Sequence, residues 1–440
     1  MMSPNVTDIF IDGLIVKSQA IPQKVIQQAK KCLLDYMGVV AGGARFIQEH
    51  HPVFLKTLVI DKGNCSVFGT EYKTTASNAA LLNGYSAHVL ELDDGHRLGM
   101  IHLGASINSA VLAVVEQKKL GKHDILKGMV MGYEAAVRCA CALQPGHKVR
   151  GYHVSGTCGT IGSAMGVAFA CGFNKKQIKS TLSCAITSAA GVLEIQEEAS
   201  ELKPYNLGRA AMDGLVAAQM GRMALPGPDD ILGGKRGFLS VLTDTPNPEH
   251  LTDFSNENYC IEGIYQKLYA ACRHCHPAIE AAIALRNAIN LQPEQVDKVE
   301  VYTYKLAVGG HDHTNIQGIS SAKLSTPYSV ALGIAKGNAG YENFDEDNLH
   351  NSDIIGLTSK VSVIEDDQFT AQSPAVRGAR VVIRLKDGKE YEDCVLYPKG
   401  EPENPISYEE ILQKTNSLVN KSINGIIDGR FIDWLTMENK

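Results

Sequence analysis

The chain has 440 residues, of which 44% are apolar and 20% are charged, and its formal net charge is −6. These values are typical of a globular protein with a large core rather than a disordered or fibrous chain. The 42 basic and 48 acidic residues argue against a general nucleic-acid or anionic-membrane surface. No apolar stretch approaches the roughly 20 residues of a membrane span, and no basic segment precedes the first apolar patch. We therefore expect a cytoplasmic protein without a signal peptide.

The first half of the chain is dominated by helical patterns. Apolar residues recur with helical spacing from Ile21 to about Val40, with Pro22 as a start signal and Gly42-Gly43 as a stop. The segment 157–190 is rich in Gly, Ala, Ser and Cys, which predicts a closely packed pair of helices. Further helices are predicted over residues 76–91, 105–119, 123–143 and 206–224.

The pattern changes after about residue 265. Alternating residues predict strands over 299–304 and 360–364, and Asp387-Gly388 predicts a hairpin between 380–385 and 389–397. Helices are predicted over 276–289, 326–336 and from Ser407 onward. The sequence thus predicts a mainly α fold with a smaller α+β domain. A large all-helical domain (1–265) would be closed by the C-terminal tail (405–440), with an α+β lid domain (266–404) inserted before the tail.

The 11 cysteines are scattered, as is typical of reduced cysteines that serve as small core residues. One cluster, Cys272-Arg-His-Cys275-His276, has the spacing of covalent haem attachment and contains four side chains that bind zinc in other proteins. Haem attachment normally requires export, and four zinc ligands this close in sequence would be sterically cramped. We predict no metal and no cofactor here, and we interpret the segment as the start of a helix.

Charged side chains are concentrated between two apolar helical segments, in residues 90–106. They are Glu91, Asp93, Asp94, His96, Arg97 and His102. Burying such a set is costly unless the groups pair or bind a ligand. A solvated, salt-bridged loop is the alternative interpretation. Because the apolar flanks hold the stretch close to the core, we take it as the first candidate for the functional site.

Four other stretches place cations, imidazoles or a phenol at predicted helix starts, although each alone is more often structural than catalytic. They contain His153; Lys203 and Arg209; Lys267, Arg273 and His276; and Lys323 with Tyr328. Cations before helix N-termini suit an anionic ligand. Imidazoles exchange protons near neutral pH. Together the stretches predict proton abstraction α to a carboxylate of a polycarboxylate substrate.

Several segments, in order along nearly the whole chain, resemble the MmgE/PrpD family. They are 86–95 (SAHVLELDDG), His102, 151–162, Lys203-Pro with 208–211, 267–277, 322–331 and 397–405. The family includes 2-methylcitrate dehydratase, cis-aconitate decarboxylase and iminodisuccinate epimerase. The resemblance implies an all-helical domain with a small α+β lid domain, a homodimer, and cofactor-independent chemistry on a small di- or tricarboxylate.

The resemblance implies active-site positions at His102, His153, Lys203, Lys267 and Tyr328, with Asp93 in the acidic motif; the other candidate residues come from the charged stretches described above. We expect His102 and His153 to be base and acid in an order left open, and Tyr328 to donate a proton or position the substrate. Arg97, Lys203 and Lys267 would hold carboxylates. The predicted catalytic residues are Asp93, His102, His153, Lys203 and Tyr328. The predicted substrate-binding residues are Glu91, Asp94, His96, Arg97, Lys267 and Arg273.

Three departures from the family pattern leave the substrate open. Glu91 stands where the family usually has Asp, Leu103 replaces a proline, and Gly95-His96-Arg97 adds a cation and an imidazole. We expect a hydro-lyase resembling 2-methylcitrate dehydratase. An iminodisuccinate-type epimerase and a cis-aconitate-type decarboxylase are alternatives, because one carbanion-like intermediate can lose water, lose CO₂ or be reprotonated. A catalytically silent homologue that binds an organic acid is a further alternative.

Overall fold

The computed structural model of the chain describes residues 5–59, 62–197, 200–419 and 429–436. These residues are mainly helical, and one four-stranded mixed sheet lies in the C-terminal part. The predicted fold class, mainly α with a smaller α+β part, is confirmed. Among the described helices, none combines the length and the apolar composition required to cross a membrane.

Residues 5–265 form a helical region with two short strand pairs. Strands β1 (Cys65–Ser66) and β2 (Lys73–Thr74) pair antiparallel, as do β3 (Gly95–His96) and β4 (Ile264–Tyr265). The helices are α1 (Val6–Lys17), α2 (Gln23–His50), α3 (Pro52–Thr57), α4 (Ala76–Val89), α5 (Gly104–Lys118), α6 (Lys122–Leu143), α7 (Gly146–Val149), α8 (Val154–Ala170), α9 (Lys175–Ser188), α10 (Lys203–Gly221), α11 (Phe238–Leu242) and α12 (Glu249–Thr252). Helices α4, α5, α6, α8 and α10 contact one another and form its centre.

Small residues allow these central helices to approach closely. Helix α8 contacts α9, its predicted partner within 157–190, but it packs more extensively on α6 and α10. Every residue of α8 is buried. A Cβ atom on Gly162 would lie 2.6 Å from the Cβ of Ala136, and one on Gly214 would lie 2.4 Å from the Cβ of Ser163. Side chains at these glycines would therefore force the helices apart.

The predicted stop at Gly42-Gly43 is wrong, because α2 continues to His50. A Cβ on Gly43 would lie 1.8 Å from the carbonyl oxygen of Ser86, and one on Gly42 would lie 3.0 Å from Leu418. The two glycines allow close helix contact in the middle of α2 instead of ending it.

The C-terminal part is built on a sheet with the strand order β6-β5-β7-β8. Strand β5 (Val296–Thr303) pairs parallel with β6 (Val361–Glu365) and antiparallel with β7 (Ala379–Leu385), and β7 pairs antiparallel with β8 (Glu390–Val395) across the predicted Asp387-Gly388 turn. Its helices are α13 (His276–Ile289), α14 (Lys305–Val308), α15 (Ile319–Leu324), α16 (Thr326–Lys336), α17 (Glu346–Leu349), α18 (Ser352–Thr358) and α19 (Asp367–Gln372). Helix α13 contacts β7, β8 and α16. Their buried residues form a second hydrophobic core, to which Val39, Leu90, Leu92 and Leu418 also belong.

The tail returns to the helical region through α20 (Tyr408–Leu418) and α21 (Gly429–Thr436). Lys414 forms an ion pair of 2.7 Å with Asp35 of α2 and donates to the carbonyls of Leu92 and Lys267 at 2.9 and 2.8 Å. Phe431 and Leu435 join the core of the helical region. Residues 420–428 and 437–440 of the predicted tail lie outside the described residues, and the predicted domain boundaries stay a prediction.

Candidate active site

A cavity of about 130 Å³ is lined by residues of both the helical region and the C-terminal part. One water molecule needs roughly 10–15 Å³ of such space, so the cavity accommodates about ten water-sized groups. A small organic acid fits this volume. Polar and charged side chains dominate its lining, among them His102, Lys148, His153, Lys203, Cys272, Arg273, His274, His311 and Arg377.

His102 is fixed just before α5 in one protonation state. Its backbone N–H donates to the Ser155 hydroxyl at 3.0 Å, and its Nδ1 lies 3.0 Å from the Asp94 carbonyl and 3.4 Å from Asp93 Oδ2. Because both neighbours are acceptors, Nδ1 carries the ring proton and Nε2 keeps its lone pair. Burial lowers the pKa of His102 to about 3 against the opposing pull of Asp93, so the ring is neutral.

His153 occupies the N-cap position of α8, and its ring is held in the opposite tautomer. The Asn206 side-chain amide donates to Nδ1 at 2.9 Å, which leaves the ring proton on Nε2. Burial, followed by the charge of Lys203, holds the pKa of His153 well below its usual value. The cavity is therefore lined by two neutral imidazoles, one with a free lone pair and one with a free N–H.

Glu91 brings together the two predicted lysines. It follows α4 with a left-handed φ of 55°, and its Oε1 pairs with Lys203 while its Oε2 lies 3.2 Å from Lys267. Lys267 also donates to the Glu91 carbonyl at 3.0 Å. Burial alone would raise the pKa of Glu91, but the two ammonium groups hold it well below its usual value. One carboxylate thus compensates one of two buried cations.

Asp93 lies between two imidazoles. Its Oδ2 is 2.9 Å from Nδ1 of His88 and 3.4 Å from Nδ1 of His102. Burial would raise the pKa of this carboxyl, but the two rings lower it to about 2. His88 is completely buried and also lies 3.3 Å from Glu91. It was not among the predicted site residues, although it stands within the SAHVLELDDG segment that carries the resemblance.

Of the six residues predicted to bind substrate, only Arg273 lines the cavity. Glu91 and Lys267 pair with each other, and Asp94, His96 and Arg97 have other partners. Asp94 accepts hydrogen bonds from the Tyr133 hydroxyl at 2.6 Å and the Gly104 amide at 2.7 Å, and burial raises its pKa to about 7. His96 accepts from the Gly99 amide at 3.1 Å. Arg97 pairs with Glu401 at 2.9 Å and Glu403 at 2.6 Å. These side chains fix the acidic stretch in place.

Tyr328 and Arg273 also have protein partners of their own. Tyr328 is 1% exposed in the C-terminal core, its ring centroid is 6.0 Å from that of Phe344, and it does not line the cavity. Its hydroxyl is buried and makes no hydrogen bond with any described residue. Arg273 lines the cavity, but its Nε and Nη2 donate to Glu401 at 3.0 and 2.8 Å.

Two cations of the cavity that the sequence analysis missed have no acidic partner among the residues that the structure describes. Within the described ranges, no carboxylate lies within 4.0 Å of Lys148 or Arg377. Arg377 is 6% exposed, donates one hydrogen bond of 2.6 Å to the Arg97 carbonyl, and leaves its buried Nε without a described partner. Neither residue belongs to a sequence pattern that indicates a site. Their uncompensated positive charge favours an anionic ligand.

Two groups of side chains are close enough to hold a metal ion, with ligand atoms within 4.8 Å of one another. They are Cys272 with His274 and His311, and His88 with Asp93 and His102. The sequence cluster that suggested zinc is split, since Cys275 contacts Thr326 and His276 bonds to Arg273. A short 3₁₀ turn, Arg273–Cys275, leads into α13, so the predicted helix start is confirmed. The nearby cations of the cavity disfavour a metal ion at the first group.

The family comparison agrees with the resemblance. The MmgE/PrpD N-terminal domain matches residues 14–251 and the MmgE/PrpD C-terminal domain matches residues 269–426, so the chain belongs to the MmgE/PrpD family. The cis-aconitate decarboxylase-like protein oryM of Aspergillus oryzae is 26% identical over 93% of this chain and 89% of its own length. Cis-aconitate decarboxylase of Aspergillus terreus is 25% identical over 90% and 86%. The probable 2-methylcitrate dehydratase of Saccharomyces cerevisiae is 23% identical over 85% and 78%.

Proposed function

We propose that this chain is a lyase that removes water from a small di- or tricarboxylate after proton abstraction α to a carboxylate. The observation that carries the proposal is the opposite tautomers of His102 and His153 in one cavity. Elimination of water requires a base for the C–H proton and an acid for the departing hydroxyl. The two rings supply these roles in that order, which the sequence left open.

The charged residues would bind the substrate carboxylates and stabilise the charge that develops during the reaction. Lys148 and Arg377 would hold substrate carboxylates, because neither has an acidic partner among the described residues. Lys203 would stabilise the enolate-like charge that develops as the α-proton moves to Nε2 of His102. The C–O bond then breaks, and the hydroxide takes the Nε2 proton of His153 and leaves as water. The neutral ring of His153 becomes an imidazolate in this step, and the neighbouring Lys203 cation stabilises it. The proton held on His102 returns to His153 before the next turnover.

Decarboxylation is the second candidate, and the names of the relatives support it. Two of the similar proteins are named as cis-aconitate decarboxylase or as decarboxylase-like. Loss of CO₂ leaves a carbanion that needs only an acid, and His153 can serve as that acid. Epimerisation would use the same two histidines with reprotonation on the opposite face. A chain that only binds an organic acid would retain the cations without turnover, and we further propose a homodimer as the working assembly.

Proton NMR in D₂O tests these roles with a panel of 2-methylcitrate, citrate, cis-aconitate, tartrate isomers and iminodisuccinate. The protein should exchange a C–H α to a carboxylate and form an olefinic product from a hydroxy acid. His102→Asn should abolish both exchange and product. His153→Asn should retain exchange while elimination falls at least about 100-fold, since loss of a general acid costs 10²–10⁴ in rate. His350→Asn, at an exposed position, is the matched control.

Each other outcome has a distinct meaning. Exchange that survives in His102→Asn would contradict its assignment as the base. CO₂ release from cis-aconitate without elimination from hydroxy acids would favour the decarboxylase. A thermal shift with a panel member, without exchange or product, would show a binding protein.

A further inference from the structure

Cys272 and His311 form a pair at the cavity that the proposed lyase reaction does not use. The Cys272 sulfur lies 3.8 Å from Nε2 of His311. The Nδ1–H of His311 donates to the Leu324 carbonyl at 2.8 Å, which orients Nε2 toward the sulfur. Both side chains are partly exposed and line the cavity. A cysteine and a histidine so arranged are the components of an activated thiol.

The charges around the pair favour its ionised form. Burial opposes ionisation of Cys272, but the charge and hydrogen bond of His311, helped by Lys203 and opposed by Glu91, lower the pKa of the thiol to about 6. The pKa of His311 is raised by the thiolate against burial and Lys148. Cys275 differs, since burial raises the pKa of its thiol and it bonds with Thr326. The thiolate, not the thiol, is the nucleophile, so of these two cysteines only Cys272, with its lowered pKa, should be reactive at neutral pH.

The same cavity contains a binding site for an anionic group. Arg377 is more than nine-tenths buried, and its Nε lacks a described hydrogen-bond partner. It lines the cavity together with Lys148 and Cys272. An anion held by these cations would be brought close to the sulfur, which raises the effective concentration of any electrophilic carbon that it carries.

We propose that Cys272 is a covalent modification site for small carboxylate-bearing electrophiles, in particular α,β-unsaturated carboxylates. The thiolate electron pair forms a C–S bond to the β-carbon, and the C=C π pair moves to the α-carbon. The α-carbon takes the Nε2 proton of the His311 imidazolium, so nothing leaves and no co-reactant is needed. The adduct fills the substrate cavity and blocks turnover. Unsaturated acids are also the product class of the proposed dehydration, so, on that proposed function, accumulated product would silence the enzyme.

Alkylation of the native full-length protein with iodoacetate and with iodoacetamide, resolved by peptide mass spectrometry, tests the site without any measurement of turnover. In each case the thiolate displaces iodide and forms one C–S bond. Cys272 should react first, faster with the anionic reagent than with the neutral one, and with a rate that follows an ionisation near pH 6. Exposed Cys394 is the internal control, since burial and neighbouring Asp393 raise the pKa of its thiol and it should prefer iodoacetamide.

Two variants separate the contributions. His311→Gln should slow alkylation of Cys272 at least tenfold at pH 7 and leave Cys394 unchanged. Arg377→Gln should lower the iodoacetate-to-iodoacetamide rate ratio at Cys272 and leave the iodoacetamide rate unchanged. Maleate, an unsaturated dicarboxylate, should add to Cys272 and to no other cysteine.

The wild-type protein alone can overturn the proposal, even if a variant fails to fold. Alkylation of Cys272 that is no faster than that of Cys394, or that shows no preference for iodoacetate, would contradict it. Alkylation that begins only after a chelator is added would show that Cys272, His274 and His311 hold a metal ion instead. Loss of lyase activity in the unmodified protein would concern the proposed function and not this site.

Discussion

Two clusters of charged groups, one that reaches the cavity only through His102 and Lys203 and one that lines it, differ in whether their charges are paired. The acidic cluster (His88, Glu91, Asp93, His102, Lys203 and Lys267) pairs its groups at short range, with both lysines on Glu91 and both imidazoles near Asp93. The cation cluster (Lys148 and Arg377) has no carboxylate partner within the described part of the chain. The charges of the acidic cluster therefore stabilise one another within the folded protein. The positive charges of the cation cluster remain available to pair with an anionic ligand.

Removing the central carboxylate of the acidic cluster should give the largest effect. Glu91→Gln leaves Lys203 and Lys267 buried without a counter-charge, so the free energy of unfolding should fall by about 3 kcal/mol or more at pH 7. Urea unfolding measures this change. Glu403→Gln, which removes a partly exposed ion pair to Arg97, should cost no more than about 1 kcal/mol.

The pH dependence of this loss has a defined sign. The folded-state pKa of Glu91 lies well below its usual value, so its stabilising contribution is full above the unfolded-state pKa of about 4.3. That contribution disappears as the pH falls through the lower folded-state value. A difference between Glu91→Gln and wild type that stays constant from pH 7 down to pH 3 would contradict the ion-pair account.

Removing a cation from the cation cluster should weaken substrate binding rather than folding. Arg377→Gln should raise KM about 10–100-fold, because a charge-assisted hydrogen bond contributes about 1.5–3 kcal/mol. Arg97→Gln should change KM less than about threefold, since Arg97 is paired with Glu401 and Glu403. Steady-state kinetics on the substrate found by NMR compares the two. A larger effect at Arg97 than at Arg377 would reverse the assignment.

Asp94 should respond to pH in the direction opposite to Glu91. Its folded-state pKa is raised to about 7 by burial. The stability that it contributes is therefore full below its unfolded-state pKa of about 3.9 and is lost as the pH rises through about 7. Asp94→Asn removes the ionisation, keeps one oxygen that can accept from the Gly104 amide, and places an NH2 group that can donate to the Tyr133 hydroxyl oxygen. Relative to wild type, its stability in urea should improve by about 2–3 kcal/mol between pH 5 and pH 8. Parallel curves would contradict the raised pKa.

The smallest effect is expected at Tyr328. Its buried hydroxyl has no described hydrogen-bond partner, so Tyr328→Phe should leave stability unchanged or raise it by about 0.5–1 kcal/mol. Because the ring lies outside the cavity, kcat should change less than about twofold. A tenfold fall in kcat would show that Tyr328 reaches the substrate in a conformation other than the one described.

The sequence predicts the bounds of a helix well where a local residue, such as a proline in the first turn, marks the start. Helices at 276–289 and 326–336 begin and end at the predicted residues, since Pro277 and Pro327 mark their starts. The error at Gly42-Gly43 has a different origin. A glycine that ends a helix and one that allows close packing look the same until the neighbouring Ser86 carbonyl is known.

In the candidate site too, residues that form a local sequence pattern could be predicted, and residues that depend on distant contacts could not. The acidic stretch is dense in sequence, so it was recognisable as a site, and His102, His153 and Lys203 do meet at one cavity. Arg97 was predicted to bind substrate because no acidic partner for it is evident nearby in the sequence. Its partners Glu401 and Glu403 stand about 300 residues away. Lys148, His311 and Arg377 were missed because no local pattern connects them. Ion pairing and cavity lining depend on distant contacts that sequence spacing does not specify.

The return of α20 to α2 also constrains how the protein is made. Lys414 reaches Asp35 and the backbone beside the cavity, so the helical region completes its contacts only with a helix that is synthesised near the end of the chain. Ribosomes add about 5–20 residues per second, so the helical region must wait about 7–30 s after its own synthesis. During that interval the residues of α2 that later contact α20 lack this partner. Nascent chains of this protein therefore present a specific, time-limited surface to chaperones.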